Sequence, residues 1–210
     1  MEQNAGLNKL INILPCNFGL SNLQKEIEIH LPENQEGDPK NFGTYRIELN
    51  AKEKTQKSES ILVRPGDDVV LEKKLDKIDF IKIDVEGHET QCLLGLKDSI
   101  KKFQPIITIE WNDDLTREGF KENDLWNTVL KDYQAGWVQC EHERIKKTFA
   151  KILVLRSLRG VARSAYKLLF GEYNRYYKEF TPEKSYPQLI LTPKNHPLRK
   201  KIQSYRAQIL

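Results

Sequence analysis

Three carboxylates follow the ends of two apolar runs in the sequence. Asp84 and Glu86 come after residues 78–83, and Glu110 ends the run 106–110. In an open α/β sheet, ligands bind outside the carboxyl ends of the strands, so we expect these side chains to face one cleft. A carboxylate in such a cleft can hydrogen-bond an ammonium group or accept a proton from a hydroxyl. The pattern therefore predicts a site for polar ligand chemistry.

The elements around this site are a strand, a turn and a helix. The residues with strand preference are Phe80, Ile81, Ile83 and Val85. A near-continuous apolar run of this kind is typical of a parallel strand that is covered on both faces. From His88 the spacing of apolar residues changes to three, four and three, at Leu93, Leu96, Ile100 and Phe103. This spacing predicts one helix that Pro105 ends.

Earlier segments predict further strands. Residues 10–14 form a short apolar run closed by a proline, and apolar residues alternate with polar ones in 27–31 and 45–49. Such alternation predicts half-exposed strands. Residues 51–60 contain charged and hydroxylated side chains and one alanine, which predicts a loop before a strand at 61–63.

Composition limits the class of protein. The 210 residues, 39% hydrophobic and 30% charged, suit one domain with a core, and the formal charge of +4 is too small to indicate a nucleic-acid partner. Three widely spaced cysteines, Cys16, Cys92 and Cys140, favour a reducing compartment. The chain shows neither a signal peptide nor an apolar run of ~20 residues, so we expect a cytoplasmic protein.

A basic segment stands apart from the rest of the chain. Residues 143–180 contain ten lysines or arginines against three glutamates. The apolar stripe of Leu155, Leu158, Ala162, Ala165 and Leu169 lies opposite a basic one of Arg156, Arg159, Arg163 and Lys167. This pattern predicts a basic amphipathic helical segment. Three interpretations stay open: contact with an anionic glycan or lipid-linked acceptor, contact with a membrane surface through 144–178, or a solvated face.

The acidic residues could instead bind a metal ion or cap a helix. Asp84, Glu86, Glu110 and Asp113 carry oxygen ligands that a hard divalent cation takes, but no histidine or close-spaced acidic loop accompanies them, so we predict no metal. Glu86 and Glu89 could instead cap the start of the helix, where negative charge is favoured. A first-turn histidine such as His88 is more often a packing residue than a base.

The residues carry a family resemblance. The run IDFIKIDVEGHE at 78–89, the following Leu-rich helix and PIITIEWN at 105–112 resemble the central part of the FkbM family of S-adenosylmethionine-dependent methyltransferases. The resemblance extends back through NAGLNKLINI, NFGLSN and VRPGDD and covers residues 4 to 112. It implies an α/β fold with a Rossmann-like class I methyltransferase core and O-methylation of a sugar or polysaccharide precursor.

The resemblance also implies roles for particular residues. Asp84 would lie beside the methionine part of the cofactor S-adenosylmethionine, and Glu86 and Glu110 would orient the acceptor or act as the base. Class I methyltransferases place the adenine after an early strand, where this chain has Asn17, Phe18 and Ser21. An ordinary turn is the alternative interpretation of those three residues.

One part of the family pattern has no counterpart. The glycine-rich loop after the first strand and the acidic residue after the second are not found, so we expect an N-terminally truncated core. In the family's sheet order, 3-2-1-4-5-7-6, the gap would expose the edge of the strand that carries Asp84. The chain would then rearrange, pair with a complementing N-terminal segment, form a homo-oligomer, or represent a partial gene product.

These expectations combine into one prediction and one alternative. We predict a single domain, 1–210, with its core at 4–142 and 186–197 and a basic helical insertion at 143–185. The predicted function is methyl transfer from S-adenosylmethionine to a sugar hydroxyl. The alternative is a non-catalytic FkbM-derived fragment that acts as a glycan-binding or interaction module.

Overall fold

The structure is a computed structural model. It describes residues 6–32, 55–111, 114–140, 173–177, 180–203 and 206–208. Within these ranges the chain forms two β-sheets with short helices packed against them. The chain is therefore a mixed α/β protein, as predicted.

The smaller sheet has three strands. They are β1 (Gly19–Ser21), β2 (Lys25–Pro32) and β3 (Thr55–Pro65). β3 lies in the middle, parallel to β1 and antiparallel to β2. β2 confirms the predicted strand at 27–31. The predicted loop at 51–60 is wrong for residues 55–60, because their polar side chains belong to a ribbon in which β3 pairs with β2 along its length.

The larger sheet has six strands. They are β4 (Phe80–Ile83), β5 (Ile106–Trp111), β6 (Tyr133–Cys140), β7 (Tyr173–Tyr177), β8 (Tyr186–Pro193) and β9 (Arg206–Gln208). Their order is β4-β5-β8-β6-β7-β9. β4 and β5 are parallel, and every other neighbouring pair is antiparallel. Among the described strands, β4 and β9 are therefore the two edges of this sheet.

The helices are short. They are α1 (Gly66–Glu72), α2 (Glu89–Gly95), α3 (Lys97–Phe103), α4 (Asp114–Glu122) and α5 (Arg199–Gln203). The single helix predicted from His88 to Pro105 is wrong, since it divides at Leu96 into α2 and α3. The division leaves N–H groups at the start of α3 for another partner. The Asp67 carboxylate accepts from the N–H groups of Asp98 and Ser99, at 3.0 and 2.8 Å.

The core lies between the helices and the larger sheet. Apolar side chains from both layers are fully buried there, including Leu93, Ile100, Ile107, Ile109, Leu189 and Leu191. At the end of β5, Trp111 packs edge-on against Phe120 of α4, with ring centroids 4.7 Å apart. The apolar face predicted for the helical region is thus the face that covers the sheet.

The smaller sheet approaches α2 closely. A Cβ atom added at Gly95 would lie 1.9 Å from the carbonyl oxygen of Ser21. No side chain fits at that distance, so glycine is required for the backbone of α2 to reach β1. The contact fixes the position of the smaller sheet relative to the helices.

β4 departs from the predicted strand that is covered on both faces. Phe80 is 54% exposed and Val85 is exposed as well, although Ile83 is buried. The cause is the position of β4 at the sheet edge, where β5 is its one neighbour among the described strands. The predicted exposed edge is confirmed for Phe80 and Val85.

Two further predictions on secondary structure are wrong where the structure describes them. Residues 10–14 form no strand: they pair with no described strand, and Leu10, Ile11 and Leu14 are exposed. The predicted helical insertion contains a strand at Tyr173–Tyr177, because β7 pairs with β6 and continues the sheet.

Some predictions lie outside the described residues. They include the strand at 45–49 and the apolar and basic stripes of the insertion, since residues 141–172 are not described. Among the described helices, none has the length and apolar character needed to span a bilayer.

Candidate functional site

The predicted carboxylates come together at the ends of β4 and β5. Ile83 of β4 pairs with Ile109 of β5, so Asp84, directly after β4, and Glu110, the second-last residue of β5, lie at the same level. One carboxylate oxygen from each of Asp84, Glu86 and Glu110 lies within 4.8 Å of the other two. Asp84 is exposed, and Glu86 and Glu110 are half-buried. The predicted clustering of these side chains is confirmed; Asp113 lies outside the described residues.

The loop between β4 and α2 presents Glu86 in an unusual backbone conformation. Glu86 has a φ of 52° and Gly87 a φ of 100°. Few residues other than glycine adopt such angles without cost, so neighbouring contacts must hold the loop. The buried carboxylate of Glu89, only 1% exposed, provides them. Its Oε1 accepts from the Val85 N–H at 3.1 Å, and its Oε2 accepts from the Thr116 hydroxyl at 2.7 Å.

Glu89 therefore has a structural role. Its carboxylate satisfies the backbone before α2 and ties the loop to α4, which agrees with the interpretation that it supports the helix start. Glu86, two residues after Asp84, is instead part of the carboxylate cluster. The sequence alone could not separate these two glutamates, because both precede or open the same helix.

A cation already pairs with the exposed end of the cluster. Lys82 Nζ lies 2.5 Å from Asp84 Oδ2, and both side chains are about half exposed. Exposed ion pairs contribute about 0 to 1 kcal/mol, so a ligand's ammonium group could displace Lys82. Three carboxylates at this spacing also provide oxygen ligands of the kind that a hard divalent cation takes. The prediction that no metal binds stays a prediction.

The residues predicted to hold the adenine lie at β1. Asn17 is exposed. Phe18 lies under the Arg64 guanidinium, with the Arg64 carbon 5.1 Å from the ring centroid. Ser21 is fully buried, and its Oγ lies 3.1 Å from His88 Nε2. The described contacts of Phe18 and Ser21 thus include Arg64 and His88, and the role of the two residues in cofactor binding stays a prediction.

A cavity that the sequence did not predict lies beside Ser21 and His88. Its volume is about 350 Å³, and β2, the start of α2 and α4 contribute to its walls. His88 is half-buried, and this burial, helped by the positive charge of Lys25, lowers the pKa of His88. The imidazole is therefore neutral at pH 7.

Gly119 is the residue of the sequence that could have indicated a close approach of α4 to another element at this cavity. Gly119 lies inside α4, where glycine destabilises a helix by about 1 kcal/mol relative to alanine. A Cβ atom there would lie 2.5 Å from the Thr90 hydroxyl oxygen, so glycine allows α4 to approach α2. Thr90 and Gly119 both line the cavity.

Residues 2–142 match the profile of the methyltransferase FkbM domain. A solved structure, the methyltransferase FkbM from Methylobacillus flagellatus KT, is 22% identical in sequence, with a TM-score of 0.30. The match covers 63% of this chain and 23% of that one, so this chain spans less than a quarter of the solved relative. No curated protein matches the chain.

Proposed function

The chain belongs to the FkbM methyltransferase family, and from that premise we propose that it transfers a methyl group from S-adenosylmethionine to a hydroxyl of a sugar or polysaccharide precursor. The observation that carries the proposal is the cluster of Asp84, Glu86 and Glu110 at the ends of two parallel strands. Ligands of open α/β sheets bind at such strand ends.

Each carboxylate has a task in this reaction. The donor supplies the reactive methyl group on its sulfonium, and the protein holds donor and acceptor in line. Asp84 hydrogen-bonds the donor's ammonium group and exchanges its exposed contact with Lys82 for it. Glu86 and Glu110, which are half-buried, orient the acceptor hydroxyl and accept its proton. Asn17, Phe18 and Ser21 would lie toward the adenine.

The sheet order supports a class I methyltransferase core. The family order is 3-2-1-4-5-7-6, and β4-β5-β8-β6 corresponds to its 4-5-7-6 half. The strand between β5 and β6 is antiparallel to both, as strand 7 of that order is. In this proposal the single domain has its core at 4–142 and 186–197, and β7 belongs to the insertion at 143–185.

The exposed edge of β4 has a specific occupant in this proposal. In the class I order, the neighbour of strand 4 is strand 1, which leads into the glycine-rich loop that contacts the donor. Unpaired backbone groups on an edge strand are a template for such a strand. Phe80 and Val85, both exposed, would be covered by it. We therefore expect a strand-loop-strand segment to complete the donor site.

Calorimetry with S-adenosylmethionine tests this function. Losing several charge-assisted hydrogen bonds, at ~1.5 to 3 kcal/mol each, moves a micromolar site to millimolar or weaker. Residues 1–210 should then show no saturable binding below about millimolar concentration, and an added N-terminal strand-loop-strand segment should restore micromolar binding. Micromolar binding by residues 1–210 alone would contradict the need for that segment. Failure of the completed protein to bind the donor, or to methylate a sugar, would reject the methyltransferase function.

A non-catalytic glycan-binding or interaction module is the second candidate. The cavity beside His88 favours it, because described residues build that cavity without any contribution from the donor. The two functions differ in one measurement: a module binds its ligand while the completed protein transfers no methyl group from labelled donor.

A further inference from the structure

The cavity beside His88 is built from three elements. Asn22 and Lys25 line it from the turn and strand at β2, His88 and Gln91 from the start of α2, and Glu118 and Glu122 from α4. Its volume of about 350 Å³ is at the lower end of the range for small-molecule sites. The cavity thus has room for a ligand of about one sugar ring.

The hydrogen bonds around Ser21 set the tautomer of His88. Ser21 Oγ donates to Asn22 Oδ1 at 3.3 Å, and a serine hydroxyl has one proton to donate. With its proton on the Asn22 side, Ser21 Oγ accepts from the ring nitrogen 3.1 Å away, and in this arrangement Nε2 of His88 carries the proton. In a neutral imidazole the other nitrogen, Nδ1, is then an acceptor. Among the described residues, none donates a hydrogen bond to that nitrogen.

The lining decides the class of ligand. The lining combines amide and carboxylate groups with the aliphatic side chains of Leu23, Ile27 and Leu115. Such a mixture suits a sugar, whose hydroxyl groups need polar partners and whose C–H faces need apolar ones. Two carboxylates, Glu118 and Glu122, outnumber the one cation, Lys25, so an anionic ligand is disfavoured.

A second polar group lacks a partner. The hydroxyl of Thr90 is buried, and it makes no hydrogen bond to the described residues. Thr90 lines the cavity and is only 4% exposed. Buried hydroxyl groups are normally hydrogen-bonded, and a ligand or a water molecule in the cavity would supply the partner; the buried hydroxyl groups of Thr108 and Thr192, away from the cavity, make no described hydrogen bond either.

We propose that this cavity binds a neutral sugar residue of the methyl acceptor, with Nδ1 of His88 accepting a hydrogen bond from a sugar hydroxyl. The inference rests on the proposed function in one respect, namely that the bound sugar is part of the methyl acceptor. His88 follows Glu86 by two residues, and the same loop carries both. His88 positions the sugar and takes no part in bond formation.

Sugar binding can be measured without the donor. The probes are methyl glycosides of glucose, galactose, mannose and N-acetylglucosamine, added to residues 1–210 and followed by ligand-observed NMR. At least one should bind, and His88→Phe should weaken its binding roughly tenfold through loss of the acceptor. His196→Phe is the matched control, since His196 does not line the cavity, and it should leave binding unchanged. Circular dichroism melting establishes that each variant is folded.

A second variant covers the case in which His88→Phe does not fold. Gln91→Leu keeps the size of a lining side chain and removes its polar groups, and it should also weaken binding several-fold. Nitrogen chemical shifts of His88 should show the proton on Nε2. The inference is wrong if none of the four glycosides binds, if the folded variants bind as tightly as the parent, or if glucuronic acid binds better than glucose.

The outcome separates this inference from the proposed function. If no glycoside binds while the completed protein binds S-adenosylmethionine, the cavity is not the sugar site and the methyltransferase function stands. If glycosides bind through His88 while the completed protein does not bind the donor, the cavity assignment stands and the methyltransferase function fails.

Discussion

The buried carboxylate of Glu89 accepts a hydrogen bond from the hydroxyl of Thr116, with the two oxygens 2.7 Å apart. The two residues are 27 positions apart in the sequence, and the bond joins the start of α2 to α4. The other oxygen of the same carboxylate accepts from the Val85 N–H in the loop that carries Glu86. The orientation of a candidate catalytic side chain thus depends on a residue that does not belong to the cluster.

We expect Glu89→Ala to lower the free energy of unfolding by about 3 kcal/mol, because it leaves the buried hydroxyl of Thr116 and the N–H of Val85 without an acceptor. Thr116→Val should lower it by about 1 to 2 kcal/mol. Urea denaturation measures both values, and Glu122→Ala, at an exposed position on α4, is the control. If Glu89→Ala and the control lose the same stability, the Glu89 carboxylate does not hold the loop.

The role of Asp84 can be tested in the protein completed with the strand-loop-strand segment. Asp84→Asn should weaken donor binding by about 1.5 to 3 kcal/mol, the contribution of a hydrogen bond between charged groups. Asp79→Asn is the matched control, since Asp79 is an exposed carboxylate paired with Lys77. Lys82→Met should leave binding unchanged or strengthen it, because it removes the cation that competes for Asp84. Calorimetry that shows equal affinity for Asp84→Asn and the parent would assign Asp84 a structural role.

The exposed edge of β4 should drive association of the chain. Phe80→Lys places a charge on the edge strand and should reduce the associated fraction seen by sedimentation velocity. Its unfolding free energy should change little, because the Phe80 side chain is about half exposed. Leu71→Lys, at an exposed apolar position outside the sheets, is the control and should leave association unchanged. Equal effects of the two lysines would indicate general solubility and exclude pairing at the edge.

The cysteines should differ in reactivity. Burial, helped by the negative charge of Glu89, raises the pKa of the Cys92 thiol to about 12, and its S–H group donates to the Leu20 carbonyl. Cys16 is exposed. Iodoacetamide at pH 8, with peptides read by mass spectrometry, should label Cys16 quickly and Cys92 only after unfolding. Fast labelling of Cys92 under native conditions would contradict its burial.

The same shift has a consequence for stability. The neutral thiol of Cys92 is favoured in the folded state, because its pKa there is about 12 against an ordinary 9.0. Its contribution to stability is fully present below pH 9 and is lost as the pH rises from 9 toward 12. Cys92→Ser replaces the thiol with a hydroxyl group that does not ionise in this range, so the variant should lose less folding stability than the parent as the pH rises from 9 toward 12.

The carboxylate cluster could be predicted from the sequence because its causes are local. Each strand is a short apolar run that ends in an acidic residue, and parallel neighbours bring such ends together. The structure adds the register of the two strands, in which Ile83 pairs with Ile109. The strand β2 could be predicted for the same reason, because the alternation of apolar and polar residues at 27–31 is visible in the sequence itself.

Features that depend on distant partners could not be predicted. Residues 10–14 have strand preference, but a strand needs a neighbour, and the described structure provides none. The division of the helix at Leu96 goes together with the capping of α3 by Asp67, about thirty residues earlier. The cavity beside His88 depends on the approach of α4 to α2 at Gly119, and although a glycine inside a helix can be read from the sequence, its contact with Thr90 cannot.

The tight approach of Gly95 to the Ser21 carbonyl also affects how the molecule opens. At this contact the backbones of α2 and β1 touch directly, with no room for a side chain between them. We therefore expect that the smaller sheet cannot separate from α2 without disturbing α2 as well. The amide hydrogens of β1 and of α2 should therefore exchange with solvent in one cooperative event. A substitution that strains this contact, such as Gly95→Ala, should speed the exchange of amide hydrogens in both β1 and α2.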